Sequence, residues 1–219
     1  MSEHSVARLH AGVVATLAAV AATLLGTTVV ADGPTALQIA GAVAISGLTL
    51  AVVPLAARGR TSRVAIAAAF LSAGAAAIHY AVIADHLEEW WAFGVFFAAM
   101  GVAQLLWAAL VVASPSRLLV LLGVFGNAAI VALWILTRTA GTLIGPDGHT
   151  ESVGVADSVA TAFEFGVVLA GPWLARGIRS NRGTAPSVVW TFCGLTWTLT
   201  AVALLSVLGV APGFLPPAE

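Results

Sequence analysis

Residues 79–91, HYAVIADHLEEWW, put two histidines, three carboxylates and two tryptophans into thirteen positions. Imidazole nitrogen beside carboxylate oxygen is a ligand set for zinc, copper, iron or manganese; without thiolates, copper(I) is the less favoured state. The same groups also pass protons at ordinary pH. On one continuous helix His79 and His86 stand two turns apart and nearly in line, with Glu89 one further turn along the stripe. Glu88 points the other way.

Two more stretches carry polar groups at helical spacing. Asp157, Thr161 and Glu164 share a face at i, i+4 and i+7, and Asn127, Trp134 and Arg138 share one at i, i+7 and i+11. His79 lies roughly 8 Å, and Glu164 roughly 9 Å, from the same end of its helix at 1.5 Å per residue. Three helices can therefore aim imidazole, carboxylate and guanidinium at one point, with Gln104 and Asn127 extending the polar path more deeply. The expected site is a transition-metal centre (copper, zinc or iron) held by His79, His86, Glu89, Asp157 and Glu164. Arg138 would balance the charge, and Glu164 would be a ligand or proton acceptor. Glu164 and Arg138 are the candidates for any catalytic role. Haem is not expected, because two histidines on one stripe cannot approach it from opposite faces. Retinal is excluded because the chain has no lysine to form a Schiff base.

The elements that must position these groups follow from composition. The chain of 219 residues is 60% hydrophobic and 9% charged, with a mean hydropathy of +1.01. Soluble domains carry roughly a quarter charged residues, so this is a membrane composition. Seven stretches meet the need for about 20 apolar residues: 11–31, 35–57, 64–84, 92–113, 118–137, 158–175 and 187–210. Their length and lack of period-2 alternation predict helices rather than a barrel. The expected fold is all-α, one polytopic helix bundle over 1–219 with short antiparallel connections. A basic start and small residues near Ala31 also suit a secretory signal, whose cleavage would leave six spans. The 21-residue apolar run favours a retained helix.

The loops orient the bundle. Eight of the nine arginines fall in alternate segments with the N-terminus, and only Arg138 falls on the other side. This places the N-terminus in the cytoplasm of a bacterial inner membrane, the C-terminus outside, and the polar site toward the outside. Trp90 and Trp91 fit an interfacial aromatic belt. His4 and His10 belong to the opposite face, and His149 sits in a loop able to cap the site.

Several classes fall away. No basic footprint supports nucleic-acid binding, and the single Cys193 allows no disulfide or CxxC motif within the chain. Besides metal binding, two readings fit: a proton-coupled transporter or ion relay built on buried titratable groups, and an accessory subunit whose small-residue faces pack on partners, in a homo-oligomer or a larger membrane complex. Glu164 is hard to dismiss in any of them. An ionised side chain at mid-bilayer costs about 2.5–3.5 kcal/mol even on mild scales.

Three blocks, HYAVIADHLEEWWAFGVFFAAMGVAQ (79–104), GNAAIVALWILTRTAGTLIGPDG (126–148) and ESVGVADSVATAFE (151–164), together resemble a family of uncharacterised multi-span proteins from high-GC bacteria. Its pattern is an H…H-x-EWW-like block, an N…R-T-x-G…GP loop and an E-x-V-G…D…E block. The likeness covers about 40% of the chain. It implies that His79, His86, Glu89, Arg138, Glu151, Asp157 and Glu164 serve one site; it implies no particular reaction.

Overall fold

The structure is a computed structural model and describes residues 62–142, 145, 148–177 and 186–207. The spans expected at 11–31 and 35–57 lie outside the described residues. Within them the fold is all-helical, with no strand. Six helices follow one another: α1 (Arg63–Ala81), α2 (Ile83–Glu89), α3 (Trp91–Ala113), α4 (Arg117–Thr139), α5 (Val155–Gly177) and α6 (Pro186–Val207). Four of them, α1, α3, α4 and α5, are long and apolar enough to cross a membrane. At 1.5 Å per residue, the 19 residues of α1 cover roughly 28 Å, close to a hydrocarbon core of about 30 Å.

α1 is the axis of the bundle. Its sequence, RVAIAAAFLSAGAAAIHYA, is built on alanine, the strongest helix former. Methyl-sized side chains let neighbours approach closely, as they must where lipid supplies no hydrophobic drive between helices. α3, α5 and α6 pack around α1, and sixteen of its nineteen residues are buried. α1 is closely crossed at Gly74, where a Cβ would fall 2.7 Å from the Phe163 ring on α5 and 2.8 Å from Thr200 Oγ1 on α6.

α4 stands at the edge of the described bundle. It packs mainly along α5 and buries only Val120, Gly123 and Asn127. Leu118, Leu122 and Phe125 are exposed, as suits lipid contact. Ser116 caps its start, the hydroxyl accepting from the Leu119 amide at 3.2 Å. Trp107 of α3 holds the same end: its indole N–H donates to the Leu119 carbonyl at 2.8 Å, and its ring lies where a Gly123 side chain would stand.

The span expected at 64–84 does not continue unbroken to Glu89, the condition for one stripe through His79, His86 and Glu89. α1 ends at Ala81, Val82 turns at φ −94°, ψ 0°, and α2 carries the chain on for seven residues. No proline or glycine marks this break.

Candidate functional site

α1, α3 and α5 each contribute one polar side chain to a buried cluster. Near the C-terminal end of α1, His79 is 5% exposed. Glu164, in the middle of α5, is 1% exposed, and Gln104, midway along α3, is 4% exposed. His79 Nε2 and Glu164 Oε1 share a hydrogen bond of 2.8 Å. Gln104 Nε2 donates to the same oxygen at 3.0 Å. The helices are pinned at this level: the Ser72 hydroxyl of α1 donates to the Gln104 carbonyl of α3 at 2.9 Å. Hydroxyl-to-backbone contacts of this kind glue helices within a membrane.

The cluster is incompletely satisfied. Among the described residues, Glu164 Oε2 and Gln104 Oε1 are buried without a hydrogen-bond partner. Burying a bare polar atom costs about 1–3 kcal/mol, so these two oxygens are the unmet acceptors of the cluster. The shared His79–Glu164 bond can be drawn with the proton on either side.

A second polar group lies seven residues away along α5, roughly 10 Å at helical rise. Asp157 Oδ2 accepts from Arg138 Nη2 at 2.6 Å and from Trp134 Nε1 at 3.0 Å. Arg138 also donates to the Thr137 hydroxyl at 2.8 Å, and its guanidinium lies 5.1 Å from the centre of the Trp134 ring. This pair fastens α4 to α5. Of the expected site residues, Arg138 meets Asp157, two turns along α5 from Glu164.

The five expected metal ligands are not gathered. His79 and Glu164 meet, but Asp157 is held by Arg138 and Trp134. His86 donates from Nδ1 to the Val82 carbonyl at 2.9 Å and rests edge-on against Phe97, ring centres 4.2 Å apart. Glu89 is exposed on α2. Among the described residues no three of His, Cys, Asp and Glu come together as a metal-binding group. Zinc sites take three or four protein ligands. As placed, the described residues bring two such donors together, His79 and Glu164.

Two neighbours were not anticipated as direct partners. Gln104 was expected only as a deeper extension of the polar path, yet it is bonded to Glu164. The available signal was that Gln104 is the one amide or charged side chain in 91–113. Phe97 had no signal; its ring packs against both histidines, 5.4 Å from His79 and 4.2 Å from His86.

Arg138→Ala should weaken the α4–α5 attachment by about 1–2 kcal/mol, the range for a charge-assisted hydrogen bond in a partly exposed setting. Unfolding in mixed detergent micelles measures it. Arg138→Lys should recover only part, since one ammonium cannot reproduce the planar fork that reaches both Asp157 and Thr137. Full recovery by lysine would show that simple charge, rather than geometry, holds the seam.

Among the described residues, architecture and site define an all-helical arrangement with four helices able to cross a membrane and a polar cluster buried among three of them. No protein-family model, curated protein or solved structure matches the chain. The likeness to the high-GC family rests on its three sequence blocks alone.

Proposed function

We propose that this chain is a multi-pass protein of a bacterial inner membrane, and that its His79–Glu164 pair handles an ion, in the simplest case a proton, as part of a relay or an ion-coupled transporter. The observation that carries this reading is Glu164: a carboxylate 1% exposed, with one oxygen bonded to His79 and Gln104 and the other without a partner among the described residues. A purely structural pair would be expected to use all its acceptors. Titratable groups inside helical bundles mark ion and proton paths. Gln104 steadies the carboxylate, and His79 holds or releases a proton at Nε2. On the orientation read from the arginines, the cluster lies nearer the outer surface, with the Arg138–Asp157 pair further out along α5.

The test is proton flux into liposomes carrying the purified protein, under an imposed pH gradient. Wild type should conduct, and Glu164→Gln should fall to the level of empty liposomes, because the amide keeps the shape but cannot accept a proton. Infrared difference spectra between two pH values should show a carboxyl band that the variant lacks. Conduction by Glu164→Gln at the wild-type rate would sink the proposal. Stoichiometric metal in protein purified without additions, and lost with His79→Ala, would replace it by the metal-centre reading. Copurification with fixed partners, without flux, would favour an accessory subunit.

A further inference from the structure

The two unpaired oxygens of the buried cluster sit on side chains already bonded to each other. Gln104 Nε2 donates to Glu164 Oε1, leaving Gln104 Oε1 and Glu164 Oε2 open. The amide cannot be turned round, because its oxygen would then face the carboxylate oxygen that also meets His79. Both side chains are more than nine-tenths buried. His79 Nε2 is engaged with Glu164, so the open positions are oxygens. Carboxylate and carboxamide oxygens suit hard cations, not the transition metals that imidazole favours.

The charge count selects the valence. In the form that would bind a cation, His79 donates from Nε2 to the Glu164 carboxylate and the cluster carries one negative charge. Arg138 cannot offset it, being committed to Asp157. One monovalent cation brings the cluster to neutrality; a divalent cation would leave a buried positive charge, which a low-dielectric interior penalises. Asn127 adds to the picture. It is 5% exposed on α4, the helix that packs along α5, and its Oδ1 also has no partner among the described residues.

We propose that Glu164 Oε2 and Gln104 Oε1 are ligands of a site for a monovalent alkali cation, sodium in the first instance. The proposal rests on the reading of this cluster as an ion-handling centre and names the ion. Water completes the coordination shell.

The experiment uses the full chain in detergent at mildly alkaline pH, with thermal unfolding followed in sodium chloride and in choline chloride of equal ionic strength. Sodium at roughly ten times its Kd should raise the midpoint by about 4 °C, saturably. The shift should vanish in Glu164→Gln and in Gln104→Leu. Should either variant fail to fold, equilibrium binding of radioactive sodium to wild type decides, with one ion bound per chain and displaced by lithium but not by choline. Equal midpoints in sodium and choline overturn the proposal. So does a sodium shift that survives both substitutions, or stabilisation by magnesium or calcium in place of sodium. A sodium-insensitive protein whose proton flux still depends on Glu164 removes the cation site and leaves the relay standing. Loss of both removes the ion-handling reading itself.

Discussion

Replacing His79 with alanine should destabilise the folded protein by about 3 kcal/mol, and replacing Glu164 with glutamine in the same chain should restore much of that. Removing His79 takes a hydrogen-bond donor from a buried carboxylate, and stripping the partner of a buried charge typically costs about 3–5 kcal/mol. Here Gln104 still donates to Glu164, so the lower end applies. Glutamine at position 164 removes the charge that His79 had faced, and the double variant should be less destabilised than the sum of the singles. Unfolding in mixed sodium dodecyl sulfate micelles gives all four free energies of the cycle. Strict additivity would mean that the 2.8 Å contact contributes nothing to stability and that the two residues act independently.

Gly74→Leu should be comparably severe for a steric reason. The first atom of any side chain there would already lie 2.7 Å from Phe163 and 2.8 Å from Thr200, and leucine adds three more carbons. Overpacking usually costs 1–3 kcal/mol and sometimes more. At the crossing of α1, α5 and α6 we expect about 3 kcal/mol, or loss of folded protein. Gly126→Leu is the matched control. Nothing lies within 4 Å of a Cβ at Gly126, and leucine is the better helix former by almost 1 kcal/mol, so this variant should be neutral or stabilising. If both glycines tolerate leucine equally in the same unfolding assay, the close crossing at Gly74 is not a feature of the folded protein.

Much of this arrangement was legible before any coordinates. Hydropathy placed α4 at 118–137 against an observed Arg117–Thr139, and α5 at 158–175 against Val155–Gly177, despite Glu164 and Pro172 within it. Depth counting put His79 and Glu164 at one level, and they touch. Helical periodicity put Trp134 and Arg138 on one stripe, and both reach Asp157. What failed was the step from shared level to shared site. Asp157 and Glu164 lie on one face of α5, yet two turns separate them, and each carboxylate recruits a different helix. Periodicity along one helix says nothing about which neighbour stands opposite each turn. Nor could it reveal the turn at Val82, which no helix-breaking residue announces. That turn begins the short helix that carries His86 to Phe97 and leaves Glu89 exposed.

The order of the chain gives the central helix an unusual start in life. α1 is the helix most enclosed by others, yet among the described helices it leaves the ribosome first. The described helices that enclose it, α3, α5 and α6, all come later in the chain. Gln104 follows, and Glu164 comes last of the three. For much of synthesis the histidine and the amide must therefore wait without the acid that completes them.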